Sequence, residues 1–342
     1  MQSQISLQPF NTLAIHVEAE HYVNLSQLED LKAALDYAIK HSLHVLPLGG
    51  GSNTVFTENF AGLVIHNQLS MCGVIQEDEE SVLIEAASGG NWHTLVSLCV
   101  KQGWYGIENL APIPGTAGAA PIQNIGAYGV ELADVFESLD YVSIDHHDPE
   151  AAELNIQTLD KEACQFGYRD SIFKHELSNT CFITCIRLRL YKKPRVSITY
   201  PPLAAWLNKQ HLPANPENIF NAVCAIRNSK LPDPSQTPNA GSFFKNPVVY
   251  LDQYESLLDL YPDIIAFPAG KSQMKLAAGW LIEQSGWKGK TVDGIGMHEQ
   301  QALVLINPGQ ASGSDILSFA HSVAQSVNDK FNVELEIEPV IY

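Results

Sequence analysis

Residues 48–53 read L-G-G-G-S-N at the end of an apolar run. Three successive glycines let the backbone take φ > 0 and approach a ligand closely. Their N–H groups, with the side chains of Ser52 and Asn53 beside them, can form an anion nest for a pyrophosphate. A tight strand exit uses the same residues, so both readings stand. Counted from Gly49, the third glycine of G-x-G-x-x-G would fall on Thr54, so this is no dinucleotide fingerprint. Residues 107–132 then combine Pro112, Pro114, Gly115, Gly118, Gly126 and Gly129 with very little charge. Solvated loops are usually polar. A long uncharged loop of small residues suits a wall against a flat or extended ligand. Ala117, Ala119 and Ala120 leave room there, and Asn124 and Tyr128 supply polar tips.

Three further segments carry polar chemistry. After Gly167 stand Tyr168, Arg169 and Asp170. Arg169 is either a bidentate carboxylate clamp or the partner of Asp170. Arg227, Lys230 and Lys245 concentrate positive charge around L-P-D-P and N-A-G-S-F-F-K-N-P. Within the latter, Ser242 follows the flexible pair Ala240-Gly241, which either exposes its hydroxyl or makes it a turn cap. In the tail L-E-I-E-P-V, strand alternation puts Glu336 and Glu338 on one face, opposite Leu335 and Ile337. That face is either solvated or includes a catalytic acid.

The elements that must position these residues follow from periodicity. Ser26 with Glu29 reads as a capping box for a helix with Leu28, Leu31, Leu35, Ala38 and Ile39 on one face. Strands are predicted at 44–48, 63–66 and 81–87. Asn91 and Gly103 bracket a second helix whose apolar face carries Trp92, Leu95, Val96 and Cys99. Strands at 138–144 and 181–191 flank an acidic turn at 145–153, and prolines cluster at a boundary near 192–202. The last third reads as α+β. It has helices at 217–226 behind Pro216, at 275–285 before Gly286, and after Ser314, with strands at 302–306 and 333–340.

Composition limits the partners. Net charge is −18, and no basic cluster offsets it, which argues against nucleic acid. No stretch approaches the roughly 18 apolar residues of a membrane span, and the polar start has no apolar signal core, so a cytoplasmic chain is expected. Six cysteines without a C-x-x-C pair fit reduced thiols, with Cys181 and Cys185 read as buried and structural. No metal site is expected: the twelve histidines show no ligand spacing, and His146-His147 reads as a solvated turn.

In order and spacing, the five segments resemble UDP-N-acetylenolpyruvoylglucosamine reductases, the MurB family, from Pro9 to Glu338. The most specific stretches are P-I-Q-N-I-G-A-Y-G-V-E-L (121–132), F-G-Y-R-D-S-I-F-K-H (166–175), G-S-F-F-K-N-P (241–247) and K-L-A-A-G-W-L-I (275–282). The last of these resembles the longer, type I form. The resemblance implies an FAD-binding fold of the vanillyl-alcohol-oxidase (PCMH) type in two subdomains plus a separate α+β substrate-binding domain. The expected division is 1–66 with the closing strand 333–342, then 67–200, then 201–332. It implies a flavin-dependent oxidoreductase that binds FAD non-covalently, takes hydride from NADPH, and reduces UDP-GlcNAc-enolpyruvate to UDP-N-acetylmuramate for peptidoglycan. A monomer is implied as well.

Residue by residue, the resemblance assigns Arg169 and Glu338 to the substrate carboxylate and Ser242 as proton donor to C2. A protonated Glu338 is expected, since burial raises a carboxyl pKa. FAD is expected against Gly49, Gly50, Gly51, Ser52, Asn53, Pro114, Gly115, Gly118, Asn124, Gly126 and Gly129. Substrate is expected against Tyr128, Tyr168, Tyr200, Lys230, Asn246 and Gln301. There are two departures. Phe267 stands where type I chains commonly carry a tyrosine on the diphosphate, which predicts substrate binding weaker by at most about 1–3 kcal/mol unless Tyr261 compensates. Val340 stands where an arginine is common. The rival reading is another non-covalent FAD oxidoreductase on the same scaffold; the absence of a histidine at 49–53 already disfavours a tethered flavin.

Overall fold

The computed structural model describes residues 1–145, 147–151 and 153–342; His146 of the histidine pair lies outside them. The chain divides into two compact units. The first comprises Met1–Ile5, Ala19–Gly50 and Phe60–Ser229; the second comprises Ser6–Glu18, Gly51–Asn59 and Lys230–Tyr342.

In the first unit, Glu18–Leu25, Phe60–Asn67 and His44–Leu48 pair in parallel, with Gln2–Ser6 on the edge. Helix α1, Glu29–Lys40, buries Leu31, Ala34, Leu35 and Ala38 against this sheet, while Ile39 is exposed. The expected capping box at Ser26 is not formed: no side chain caps α1. The chain enters through i→i+3 bonds from Asp30 to Gln27 and from Leu31 to Leu28, so Ser26 lies too early. Glu29 and Asp30 instead place negative charge in the first turn, where the helix dipole favours it.

The second sheet is antiparallel, in the order Ile156–Asp160, Phe136–Ser143, Cys181–Tyr191, Ser81–Ala87, Cys72–Glu77. Helix α2, Trp92–Gln102, starts at Asn91, whose side chain accepts from the Thr94 N–H at 2.9 Å, and stops at left-handed Gly103. Its Trp92, Leu95, Val96 and Cys99 join the core of this sheet. Helices α3, Pro201–Lys209, and α4, Pro216–Lys230, pack through Leu203, Leu207, Ile219, Val223 and Ile226. Cys181 and Cys185 are half-buried, Cys181 packing against the core of this sheet, and desolvation pushes both thiols up to about 12. His147 is also no solvated residue. Its side chain is 3% exposed and lies 2.7 Å from Asp36, whose carboxyl Lys32 and then His147 hold below the usual range.

The second unit holds a four-stranded sheet, in the order Asn239–Ser242, Val304–Ile306, Ile295–Met297, Thr291–Val292. A three-stranded sheet runs in the order Val248–Tyr250, Gln273–Leu276, Ala266–Pro268. Its helices are α5, Leu251–Leu260, α6, Ala278–Gln284, and α7, Gly313–Phe331. The helix expected from Lys275 starts only at Ala278. Lys275 is a central-strand residue with Val248 on one side and Phe267 on the other, and sheet pairing overrides its helical pattern. Ser312, not Ser314, caps α7, because Asp315 at the third helical position completes a capping box with it. The expected strand at 333–340 is ordered as a strand only at Val340–Ile341, parallel to Thr54–Val55, with one further bridge between Ile337 and Phe244.

Glu85, Asp140 and Cys185 are a group of potential metal ligands among the described residues. A guanidinium already serves them. Arg187 Nε donates to Glu85 at 2.8 Å, and its two terminal nitrogens donate to Asp140 at 2.9 and 2.6 Å. Arg187 therefore holds the Asp140 carboxyl below the usual range. A depressed carboxylate contributes stability that is complete above its unfolded pKa, about 3.9, and lost as pH falls through the lower folded value. Asp140→Asn is expected to cost about 2 kcal/mol in denaturant melts at pH 7, and its melts should converge on wild type as pH is lowered toward 2.

Candidate functional site

The first unit presents a cradle of bare backbone. A Cβ at Gly49 would lie 2.7 Å from Thr116 Oγ1, and one at Gly50 would lie 3.2 Å from the Gly115 Cα. A side chain at Gly49 would have to turn Thr116 aside, and one at Gly50 would press on the backbone of the facing loop. That loop is fixed in turn on the entry to α2. Trp92 N–H donates to Gly115 O at 3.1 Å, Ala117 N–H to Gly90 O at 2.8 Å, and Gly118 N–H to Ser88 O at 2.8 Å. Of the three glycines, only Gly51 takes φ > 0, at 56°. The first two are required by close approach rather than by backbone handedness. Pro114 is exposed at the loop rim.

In the second unit, Gly51 O accepts from Thr12 N–H at 3.1 Å. The buried Thr12 Oγ1 has no hydrogen-bond partner among the described residues. A buried orphan hydroxyl beside a glycine turn, and separately a side-chain-free cradle, fit a cofactor with a pyrophosphate. Thr12 and Thr116 were not singled out by sequence reasoning. The signal for Thr116 was its place next to Gly115.

Asn124 is 1% exposed and fastens the rest of the loop. Its Nδ2 donates to Glu131 Oε2 at 2.9 Å and to Gly167 O at 3.0 Å, while its Oδ1 accepts from Ala133 N–H at 3.0 Å. Both amide hydrogens are thus in use, which leaves no donor for a ligand. Gly126–Ala127 pairs with Val130–Glu131 across a two-residue turn, Tyr128-Gly129, in which both residues have φ > 0, at 52° and 81°. Such turns normally take Asn or Gly at the first position. Here Asn109 Nδ2, donating to Tyr128 O at 3.1 Å, holds the tyrosine at the tip. Tyr128 meets the Tyr200 ring edge-on at 5.1 Å, and desolvation raises its phenol to about 12, so it is a neutral donor at physiological pH.

Arg169 sits in the tight turn closed by Gly167 and Asp170, with φ 53°. Its Nη2 donates to Gly126 O at 2.6 Å, and its guanidinium lies 5.5 Å from the centre of the Tyr168 ring. Asp170 pairs with His175 at 2.9 Å. Asn124, Tyr128 and Arg169 are all non-glycine residues in the left-handed region, a clustering typical of functional loops.

In the second unit, Ser242 is exposed and ends the strand Asn239–Ser242. The chain then runs antiparallel to the tail. Glu338 N–H donates to Phe243 O at 2.9 Å, and Lys245 N–H donates to Glu336 O at 2.9 Å. Ser242 and Glu338 are thereby brought to neighbouring positions. Asn53 joins them, its Nδ2 lying 3.4 Å from Glu338 O and its own carbonyl accepting from Val340 N–H at 2.9 Å. The two tail glutamates part in role: Glu336 is 70% exposed and pairs with Lys245, whereas Glu338 is half-buried. Asn246 Oδ1 accepts from Ala278 N–H at 2.9 Å at the start of α6. Gln301 Oε1 lies against Gly279, and Lys230 is exposed at the end of α4. Phe267 is 40% exposed on its strand. Tyr261 does not substitute for a missing hydroxyl there: its own OH donates to Lys330 O at 3.2 Å and its ring packs on Phe331.

Comparison with known proteins agrees with this geometry. Residues 19–145 match the FAD binding domain family, and residues 233–342 match the UDP-N-acetylenolpyruvoylglucosamine reductase C-terminal domain. A UDP-N-acetylenolpyruvoylglucosamine reductase of Chromobacterium violaceum is 43% identical over 341 residues, covering 99% of this chain and 98% of its own. One of Pseudomonas syringae pv. syringae is 41% identical over 343 residues, covering 100% and 99%. The crystal structure of the reductase (MurB) from Thermus caldophilus superposes with a TM-score of 0.67 at 23% identity, over 99% of this chain and 98% of that one, which supports the fold. The chain belongs to the UDP-N-acetylenolpyruvoylglucosamine reductase family.

Proposed function

We propose that this chain reduces UDP-GlcNAc-enolpyruvate to UDP-N-acetylmuramate, with NADPH as hydride donor and non-covalent FAD as cofactor, in peptidoglycan precursor synthesis. The observation that carries the reading is similarity to reductases of this name over the whole chain, with both domain families matched. Among the described residues no helix is long and apolar enough to cross a membrane. The working form is a cytoplasmic monomer in this reading, divided as 1–66 with 333–342, 67–200 and 201–332.

Bound FAD supplies the relay of hydride from NADPH to C3 of the enolpyruvyl group. Gly49, Gly50, Gly51, Ser52, Asn53, Pro114, Gly115, Gly118, Gly126 and Gly129 hold it largely through backbone, as the side-chain-free cradle allows. Asn124 contributes by fixing the loop. As charge builds on C2 and its carboxylate, the Arg169 guanidinium stabilises it, and a protonated Glu338 shares the load. Ser242 delivers a proton to C2; an enolate-like carbon is basic enough to take it from a hydroxyl. Tyr128, Tyr168, Tyr200, Lys230, Asn246 and Gln301 bind the substrate.

Anaerobic absorbance tests the reading. The purified protein should show a flavin spectrum that bleaches with NADPH and returns on addition of UDP-GlcNAc-enolpyruvate. Recovery with oxygen alone, indifferent to that substrate, would assign the chain to the rival class of flavin oxidoreductases. In Ser242→Ala the NADPH bleach should be unchanged, and return with substrate should slow by about 10²–10⁴-fold. Asn124→Ala should lower stability by about 1–2 kcal/mol in denaturant melts, since it leaves partly buried partners unpaired. It should also slow the substrate-dependent return more than the bleach.

A further inference from the structure

The strand that ends at Ser242 is not a regular ladder. Asn239 pairs with Ile306, but Ser242 pairs with Val304, so three residue steps on one strand meet two on the other. The extra residue makes a β-bulge, and Gly241 within it takes φ 69°, the left-handed conformation usual for such a glycine. Backbone bonds on either side hold the shift. Asn307 N–H donates to Pro238 O at 2.8 Å, and Phe243 N–H donates to Leu303 O at 2.9 Å. Residues directly opposite in a ladder share a face, and a one-residue slip reverses it. Without the bulge, Ser242 would stand opposite Leu303 and leave from the other face of the sheet.

Asn239, 3% exposed, carries the side chain that fixes this bulge. Its Oδ1 accepts from Gly241 N–H at 2.9 Å, an Asx turn closed across Ala240. Both hydrogens of Nδ2 are used on the other side, donating to Pro232 O at 3.1 Å and to Thr237 O at 2.8 Å. The carboxamide cannot turn over without losing all three bonds. The main-chain N–H of Asn239 donates to Thr12 O at 2.9 Å, and Thr12 N–H donates to Gly51 O. The strand end bearing Ser242 is thereby registered on the glycine turn of the same unit. The pair Ala240-Gly241, expected from sequence to be flexible, is pinned by the residue before it.

We propose that Asn239 is a positioning residue for the proton donor Ser242, holding the bulge that presents the hydroxyl to C2 of the substrate. This rests on the function proposed above. Hydride delivered to C3 displaces the C2=C3 electron pair onto C2. That pair takes the hydroxyl proton: the O–H bond breaks, a C2–H bond forms, and the oxygen, on an exposed residue, regains a proton from water. A serine hydroxyl is a weak acid, so the transfer depends strongly on distance and alignment. Asn239 touches neither substrate nor cofactor in this reading and acts through the backbone alone. Gly241 is the other half of the device. A Cβ there would meet nothing within 4 Å, so glycine is required by its φ and not by space.

The test is a double-mutant cycle on the holoenzyme, read from the flavin spectrum after anaerobic reduction by NADPH. Asn239→Ala should bleach at the wild-type rate. Its return with UDP-GlcNAc-enolpyruvate should slow by about 10- to 100-fold, with the half-saturating substrate concentration little changed. Added to Ser242→Ala, it should slow the return no further, since no proton donor is left to place. In Asn239→Ser the hydroxyl can still accept from Gly241 N–H, more weakly, and part of the rate should be recovered. Gly241→Ala strains the same bulge without a clash. It should show the same pattern and serves if Asn239→Ala does not fold. Equal slowing with and without Ser242→Ala would overturn the proposal and leave Asn239 a structural residue. So would a bleach slowed as much as the return, or a loss of substrate affinity that accounts for the slowing. Wild type whose reduced flavin ignores UDP-GlcNAc-enolpyruvate would overturn the proposed function and this inference with it.

Discussion

The carboxamide of Asn124 joins two turns that the sequence separates by some forty residues. One amide hydrogen reaches Glu131 within its own loop and the other reaches Gly167, where the turn bearing Arg169 begins. The positions it holds are intrinsically unfavourable. A non-glycine residue in the left-handed region costs about 1–2 kcal/mol, and Asn124, Tyr128 and Arg169 all stand there. Such conformations persist only where surrounding bonds over-determine them. Here the bonds are partly buried and mutually reinforcing: Asn124 to Glu131, Gly167 and Ala133, Asn109 to Tyr128, and Arg169 to Gly126. Buried donors and acceptors are expensive to leave unmade, so the network is stable as a whole and weak in parts. The long uncharged loop is therefore a rigid object, although nothing in it is a long helix or strand.

The same economy of charge runs through the first unit. With a net charge of −18 the protein keeps most of its acids outward; Glu108 is buried and accepts from the Gly106 N–H, and others neutralise a partly buried cation. Arg187, 20% exposed, lies between two carboxylates, and Lys32 and His147 close on Asp36. Those contacts stabilise the fold. Arg227 differs: burial presses its pKa down, and Arg169 adds to that.

Much of the fold was legible because its signals are local. The helix between Asn91 and Gly103 came out to the residue, since a side-chain cap at one end and a left-handed glycine at the other are chemistry of a few neighbouring atoms. The strand Cys181–Tyr191, central in its sheet, was equally plain from its apolar residues. Among the strands not foreseen, Gln2–Ser6, Cys72–Glu77 and Ile156–Asp160 are mostly exposed edge segments. They carry no alternating burial and are strands only because a neighbour offers its ladder. The helix start misplaced at Lys275 fails for the related reason that two flanking strands outbid helical spacing. At Ser314 the error was local: two serines compete two residues apart, and Asp315 lies at the right distance only from Ser312.

The site was legible in a different sense. Glycine runs and small-residue loops announce themselves, because they are patterns of backbone permission. Arg169, Ser242 and Glu338 are single polar residues whose types fit several roles each, and resemblance rather than spacing picked them out. Geometry adds what spacing could not. The tail runs antiparallel to Phe243–Lys245, which brings half-buried Glu338 to a position neighbouring Ser242 and leaves Glu336 in solvent with Lys245. An alternation rule that places both glutamates on one face cannot say which of them has a partner waiting outside.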